Sequence, residues 1–399
     1  MLIEAGIQRR KNAIFVLLSV MLSIFCILKV IRGSSIENTT AGGIWNYISL
    51  LYYPIALILF FTRDKIKIDL IFTSAFFYVL VALFSTFLNW GYRVDVSSIY
   101  NLLMIPYPIL VMSVFYISSK KSEWCERIIL VGYIVCLILN LRSVLSYNFT
   151  NAEEMMKSDI YFSLGLFPFA LQLLKRKYFK VLIVLLQFAA VFLADKRTGL
   201  IAFIIGLILY ILISSFCDNK GSFLKTVKSL IIATVAVLLF YKVGKYVDDT
   251  YNLDIFSRLM RLSDDGGSGR ADIYSNVWQG FKNSDFIEKM FGHGMNTAGS
   301  IGGAGKAHND FLQIIYDYGV FAVVFVTVFY ISLVVRAFKM IKCKSPYAAA
   351  FTFSVVIGLF LAMFSYFVVY FTYVTCIMAF WGYTLSMEKQ RVMERRRDE

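Results

Sequence analysis

The chain contains many long runs of apolar residues, most of them roughly 15–22 residues in length. A helix of about 20 residues crosses the hydrocarbon core of a bilayer, so runs of this length predict transmembrane helices. The composition agrees, because 59% of the residues are hydrophobic and only 17% are charged, whereas soluble domains have about half and a quarter. The sequence therefore predicts an all-α polytopic membrane protein.

Twelve of these runs are predicted to span the membrane. They cover residues 12–31, 44–62, 69–90, 97–118, 128–147, 160–174, 179–194, 198–216, 229–243, 310–335, 347–367 and 369–386. The first run follows three basic residues in the manner of a signal peptide, but it is too long for one and lacks a small-residue cleavage site. The last two runs are barely separated, so a hairpin must divide an almost continuous apolar stretch.

Basic residues predict the orientation of these spans. Most of the 40 Lys and Arg residues fall in alternate loops, on the same side as the N-terminus, and short basic loops stay in the cytoplasm. Both termini are therefore expected in the cytoplasm. This bias accounts for the net charge of +14, so membrane lipid rather than nucleic acid is the expected partner. The six cysteines fall in spans or cytoplasmic loops, and no disulfide framework is expected.

The spans divide the chain into three parts. Residues 1–243 form an N-terminal bundle of about nine spans, residues 244–309 a large extracytoplasmic loop, and residues 310–399 the last spans and a basic tail. In the loop, residues 270–281 place an apolar stripe on one helical face; the stripe comprises Ile273, Tyr274, Val277, Trp278 and Phe281. A shorter helix, 285–291, is predicted to start at a Ser284 cap. These apolar faces need burial, so we expect the loop to cover the outer end of the bundle.

Two arginines on the expected outer side are candidate anion ligands. Arg197 follows Asp195 and Lys196 between two spans, against the usual charge bias. Arg270 follows Gly269 and opens the amphipathic helix, where backbone N–H groups also favour an anion. Each has a simpler explanation when taken singly, as a cation at the lipid phosphates or as a solvated loop residue. Both interpretations stay open on these features alone.

The two histidines of the chain lie close together, on either side of a glycine-rich loop. His308 precedes Asn309, a good helix N-cap, and the positive end of a helix disfavours imidazolium. A neutral imidazole there could act as a general base, although a histidine that merely hydrogen bonds at a helix start is common. His293 lies between Gly292 and Gly294 and is expected to be a loop residue; the glycines permit close approach to a ligand. No cluster of Cys or His residues suggests a metal site, and no cofactor is expected.

These motifs together resemble the bacterial O-antigen ligase and O-antigen polymerase superfamily. They are LADKRTGLIAF around Arg197, Gly269-Arg270 with Trp278, and HNDFLQIIYDYG entering a late span. The resemblance implies a glycosyltransferase of the bacterial inner (plasma) membrane whose active site is extracytoplasmic. Its donor would be an oligosaccharide or polysaccharide on undecaprenyl diphosphate, and it would need no metal. By the same resemblance, Arg197 and Arg270 hold the diphosphate and His308 activates the acceptor hydroxyl. The neighbouring residues assigned to substrate binding are Lys196, Trp278, Gly292, Gly294 and Asn309.

Several functions remain open from the sequence. The first is a polysaccharide polymerase, acting with a chain-length regulator, because such enzymes are diverse and one is needed for each glycan. The alternative within the superfamily is a ligase whose acceptor is lipid A-core. A flippase for lipid-linked oligosaccharides, another transporter or a scaffold without chemistry are more distant alternatives. Transporters commonly have internal repeats and ionisable residues at mid-membrane, whereas this chain has no evident internal repeat and its candidate charges lie at the outer boundary of the spans.

Overall fold

The computed structural model describes most of the chain. The described residues are 2–32, 47–61, 69–89, 96–150, 159–194, 196–218, 270–302, 307–365, 367 and 371–398, with short helical pieces between residues 227 and 250. Within these residues all regular secondary structure is helical and no strand is present. The expected all-α class is therefore confirmed.

Fifteen α-helices are labelled here in chain order. They are α1 (Leu2–Arg32), α2 (Tyr52–Phe61), α3 (Leu70–Leu88), α4 (Val96–Met104), α5 (Tyr107–Ser118), α6 (Glu123–Thr150), α7 (Ile160–Leu173), α8 (Lys177–Leu193), α9 (Arg197–Asp218), α10 (Arg270–Asn283), α11 (Phe286–Phe291), α12 (Ala298–Gly302), α13 (Asp310–Lys342), α14 (Ala348–Phe364) and α15 (Phe371–Asp398). A 3-10 turn, Tyr47–Leu51, precedes α2.

Five helical segments among the described residues are long and apolar enough to cross a membrane. They are Asn12–Ile31, Leu70–Leu88, Glu123–Leu145, Arg197–Asp218 and Asp310–Lys342. Shorter apolar helices lie at four more of the predicted positions, namely Ile48–Leu59, Tyr107–Ser118, Ile160–Leu173 and Ala348–Phe364. A polytopic membrane protein is thus supported. The count of twelve remains a prediction, since residues 229–243 lie largely outside the described part of the chain.

One predicted span is divided in the structure. Residues 97–118 form α4 and α5, with a break at Ile105 and Pro106. Proline lacks the N–H group of a helix interior and its ring disfavours a helical conformation in the residue before it. Pro106 is accordingly the N-cap of α5, and Pro108 lies within its first turn.

The helices pack around a large shared core. The most extensive pairings join α3 with α13, α5 with α15, α9 with α14, and α1 with α6. Polar contacts within the bundle fix the helix registers: the Tyr133 hydroxyl donates to Gln187, whose amide donates to Ser163. At the end of the bundle opposite the site described below, Asp69 accepts from the backbone N–H of Ile71 at the start of α3, and it pairs with Arg336 of α13.

The two longer helices of the proposed extracytoplasmic loop form as the sequence indicates. α10 buries Val277 and Phe281 of its apolar stripe against α13. The start of α11 differs from the prediction, because its N-cap is Asp285 and not Ser284. Asp285 and Glu288 satisfy each other's backbone N–H groups in a capping box, which a serine one residue earlier could not do. Residues 251–269 lie outside the described ranges. The division of the chain into an N-terminal bundle, a loop of residues 244–309 and a C-terminal part therefore remains a prediction.

Candidate active site

The carbonyl oxygen of Phe364 joins the N-termini of two helices that carry the candidate arginines. Arg270, the first residue of α10, donates to this oxygen through its guanidinium group. Thr198, which follows Arg197 at the start of α9, donates to the same oxygen through its hydroxyl at 3.3 Å. The starts of α9 and α10 therefore meet at the last residue of α14.

The end of α14 attracts a cation for a simple reason. The last carbonyl groups of a helix have no intrahelical partner, and the helix dipole makes this end negative. A guanidinium group that donates to Phe364 satisfies one such carbonyl. Arg270 remains only half-buried, so its other N–H groups are near solvent and can reach a ligand. No residue type in the sequence could indicate this acceptor, since every residue has a carbonyl group.

Tyr274 connects Arg270 to His308. Its hydroxyl lies one helical turn after Arg270 and donates to the His308 carbonyl oxygen at 3.1 Å. The guanidinium group of Arg270 also hydrogen bonds to this phenol. Burial raises the pKa of Tyr274 above its ordinary value, and Arg270 only partly offsets this effect. The phenol is therefore neutral and remains a donor at physiological pH.

His308 lies where the sequence placed it, immediately before the N-cap of α13. Asn309 caps the helix, since its side chain accepts from the Leu312 N–H at 3.0 Å. The backbone of His308 adopts a positive φ of 52°, which is uncommon for a residue other than glycine. Such conformations concentrate at functional sites, where surrounding contacts hold them. The bond from Tyr274 is one of these contacts.

Asp310, the first residue of α13, connects the start of this helix to the segment after α14 through hydrogen bonds. It is buried, and both of its carboxylate oxygens accept from the Phe367 N–H at 3.0 Å. Phe364 and Phe367 therefore bond to the starts of three helices, α9, α10 and α13. The predicted break between the last two apolar runs falls between α14 and α15, and the connection that would make it a hairpin includes residues outside the described ranges.

An open groove of about 540 Å³ begins beside these residues. Its walls come from α10 and α13, and the lining residues are Tyr274, Ser275, Trp278, Asn309, Phe311, Leu312, Ile315 and Val323. Trp278 is 42% exposed, with the ammonium group of Lys282 5.6 Å from its ring. This volume suits a ligand site. The lining is mostly apolar, so it suits hydrocarbon or the apolar face of a ring better than a fully hydrated group.

The structure gives less support for a binding role of the remaining residues assigned to substrate binding. Lys196 is half-buried just before α9, and Asn309 lines the groove while capping α13. Gly292 and Gly294 have φ values of 78° and 92°, and their described contacts are with α3 and α13. A Cβ atom at Gly292 would lie 2.3 Å from the Asp317 carbonyl oxygen. The two glycines thus allow close backbone packing, and their role in substrate binding remains a prediction.

Asp317 is a structural residue that the sequence reasoning missed. It is fully buried and accepts from the backbone N–H groups of Asn296 and Ala298, from the Thr297 hydroxyl and from the Gln313 amide at 2.7–3.2 Å. These bonds attach the glycine-rich loop to α13. The sequence signal that could have identified it is a carboxylate within a largely apolar run. Burial of such a group is costly unless it is hydrogen bonded, so its presence predicts bonding partners.

His293 is a loop residue, as expected, and is packed into the same region. Its ring lies 4.2 Å from the ring of Tyr316 at an angle of 4°, and its Nε2 atom is 3.1 Å from the Ser284 hydroxyl. Asp195 and Gly269 lie outside the described residues. Among the residues that the structure does describe, no group of three or more His, Cys, Asp or Glu side chains is placed to hold a metal ion.

Comparison with known protein families fits this geometry. Residues 182–327 match the family model described as O-antigen ligase. This segment of the chain is similar to the O-antigen ligase domain. The match runs from α8 into α13 and contains Arg197, Arg270 and His308, so the resemblance inferred from the motifs is confirmed. A comparison with curated proteins found no match. Phe364 and Phe367 lie beyond the matched segment, although they bond to the starts of three helices within it.

Proposed function

We propose that this protein is a polysaccharide polymerase of the bacterial inner membrane. It would transfer a growing glycan from undecaprenyl diphosphate to the non-reducing end of a lipid-linked repeat unit. Both termini would be cytoplasmic, the site extracytoplasmic, and a chain-length regulator a partner. The observation that supports this most is the meeting of the Arg197 and Arg270 helix starts at one carbonyl, with His308 joined through Tyr274. The O-antigen ligase domain supports the same reaction class.

The arginines would act on the leaving group. As the bond between the sugar C1 and the diphosphate oxygen breaks, the electron pair moves to that oxygen and negative charge increases there. Cations fixed beside the oxygen stabilise this transition state more than the ground state. A single charge contact at 4 Å contributes about 4 kcal/mol at an effective dielectric constant near 20. The planar guanidinium fork can bind two phosphate oxygens at once, which an ammonium group cannot do in the same way.

His308 would act on the acceptor. A neutral imidazole accepts the proton from the sugar hydroxyl as the hydroxyl oxygen forms its bond to C1. Attack from the face opposite the diphosphate inverts the anomeric centre. The lipid diphosphate leaves, and the imidazolium then gives its proton to water. General-base catalysis of this kind contributes on the order of 10²–10⁴ in rate.

The groove between α10 and α13 would take the apolar part of a lipid-linked substrate. Its lining is mostly hydrocarbon, and Tyr274 at one end is bonded to Arg270. A lipid with its diphosphate near the two arginines could lay its first isoprene units along this groove. Burial of apolar surface there contributes about 25 cal/mol per Å² to binding.

A ligase of the same superfamily is the second candidate, favoured by the description of the matched family. Donor chemistry is shared by the two, and the acceptor distinguishes them. A polymerase uses a second lipid-linked repeat unit, and a ligase uses lipid A-core.

Reconstitution tests these alternatives directly. Purified protein in vesicles is supplied with lipid-linked repeat units, with or without lipid A-core, in the absence of ATP and of an ion gradient. We expect ladders of longer glycans on the carrier lipid, and none with His308→Ala. Transfer only to lipid A-core would replace the polymerase by the ligase. Movement of the lipid across the bilayer without a new glycosidic bond would instead establish a transporter.

A further inference from the structure

The short helix α11 presents two large apolar side chains away from the protein. Phe286 is 75% exposed and Ile287 is 63% exposed, which places them among the most exposed apolar residues of the described chain. The capping box of Asp285 and Glu288 bonds the backbone N–H groups at the start of this helix. The box stabilises the start of a helix that has only six residues.

The position of α11 is fixed by its other end. The ring of Phe291 packs against Phe84 of α3 at 5.1 Å and against Phe321 of α13 at 5.4 Å. The Asn89 amide donates to the Gly292 carbonyl oxygen at 3.2 Å. The C-terminal end of α11 therefore contacts the end of α3 and the part of α13 around Gly319. Gly319 has a φ of 81° and interrupts the helical conformation of α13.

The surface of α11 continues a surface that faces lipid. α3 and α13 are both long and apolar enough to cross a membrane. Near α11 they expose Phe84, Phe87, Leu88, Phe321 and Val324, each between 43% and 58% exposed. Apolar side chains that a membrane helix exposes are in contact with lipid tails. Phe286 and Ile287 extend this band past the ends of the two helices.

We propose that Phe286 and Ile287 insert into the leaflet nearest the candidate active site and anchor α10 and α11 to the membrane surface. The partner is the acyl-chain region just below the headgroups, where short amphipathic elements insert their apolar side chains. The anchor holds α10, and with it Arg270, at a constant height above the bilayer. This inference depends on the α3 and α13 surfaces and not on the reaction that the site performs.

Fluorescence quenching in vesicles tests the insertion. Cys217 and Cys343, the described cysteines that are not buried, are first changed to serine. Phe286→Cys and, as a control, Ser300→Cys on the exposed surface of α12 are then labelled with a small environment-sensitive fluorophore. The quenchers are phospholipids with a nitroxide near the top of the acyl chain and, separately, iodide on both sides of the membrane. Ile287→Cys provides a second probe if Phe286→Cys folds poorly.

We expect the nitroxide lipids to quench the label at position 286 at least threefold more than the label at position 300, and iodide to show the reverse order. Equal iodide quenching at both positions would overturn the proposal, because the surface would then be in water. Protection of position 286 from both quenchers would also overturn it, and would indicate that protein covers the surface, such as a second copy of the chain.

Discussion

Arg270 and Phe364 are 94 residues apart in the chain, yet the guanidinium group of Arg270 donates to the Phe364 carbonyl oxygen. One partner of this arginine is thus a backbone atom at the end of a helix, and another is the neutral Tyr274 phenol. A carbonyl orients the cation and leaves its charge uncompensated, whereas a carboxylate would neutralise it. Such an arrangement suits a cation that must bind an anionic ligand.

The first prediction concerns the planar guanidinium group of Arg270 and its replacement by an ammonium group. Arg270→Lys keeps the charge but loses the planar fork, so one ammonium group cannot both donate to Phe364 and bind two phosphate oxygens. Hydrogen bonds to charged groups contribute about 1.5–3 kcal/mol. We therefore expect turnover to fall roughly 10- to 100-fold, measured as glycan formation by reconstituted protein. Arg127→Lys, the same change at a side chain that is 70% exposed on α6, should leave turnover unchanged. Wild-type turnover in Arg270→Lys would mean that charge alone is sufficient.

The second prediction uses the two histidines as a matched pair. His308→Ala should lower turnover by about 10²–10⁴, because the acceptor hydroxyl loses its base, while expression and membrane insertion remain normal. His293→Gln should instead lower the melting temperature, since the ring stacks on Tyr316 and contacts Ser284. Its turnover per folded molecule should stay within a few-fold of wild type. An active His308→Ala protein would remove the general-base assignment.

The third prediction concerns Tyr274. Tyr274→Phe keeps the ring in the groove but deletes the bonds to the His308 carbonyl and to Arg270. Loss of a hydrogen bond worth about 1 kcal/mol should lower kcat roughly fivefold. The KM for the lipid-linked donor should change little, because the groove wall is retained. A raised KM with unchanged kcat would show that the hydroxyl binds substrate and does not position Arg270 and His308.

The fourth prediction gives the pH dependence of this contact. The raised pKa of Tyr274 means that the folded protein favours the neutral phenol. The stability difference between wild type and Tyr274→Phe should therefore be constant below about pH 10, the ordinary tyrosine pKa. It should diminish as the pH rises through the raised pKa of the folded protein. Denaturation midpoints measured from neutral to strongly alkaline pH check this, and a difference that changes near neutral pH would contradict it.

The fifth prediction concerns Gly292 and Gly319, each of which packs closely against the backbone just before the other. A Cβ atom at Gly319 would lie 2.2 Å from the Met290 carbonyl oxygen, and both glycines have positive φ. Gly319→Ala and Gly292→Ala should each lower the free energy of unfolding by about 1–3 kcal/mol or more. Because both changes disrupt one contact, the double variant should lose less than the two losses combined. Full additivity in thermal unfolding would show that the two glycines act independently.

The sequence predicted those features that depend on local physics. The apolar runs predicted most helix positions correctly. A helix that crosses the bilayer needs an apolar run of about 20 residues, and few other structures contain runs of that length. The spacing of Ile273, Val277 and Phe281 predicted α10, and Asn309 was identified correctly as a cap. The O-antigen ligase resemblance likewise rested on short motifs that the sequence contains.

The remaining features depend on contacts between distant parts of the chain. The acceptor at Phe364 and the donor at Phe367 are backbone atoms, which no residue type reveals. The start of α11 depends on a capping box that outcompetes the nearby serine. The break at Gly319 follows from its contact with residues 290–292 and not from the helical pattern around it.

The place of Phe364 and Phe367 in the chain, after the candidate site residues, has a consequence for biosynthesis. Arg197, Arg270 and His308 are all translated and delivered to the membrane before Phe364 and Phe367 leave the ribosome. The carbonyl that accepts from Arg270 and Thr198 and the N–H that donates to Asp310 do not yet exist when those residues enter the membrane. A nascent protein therefore lacks these contacts until residues 364–367 have been made, and a nonsense codon before position 364 would leave the starts of α9, α10 and α13 without them.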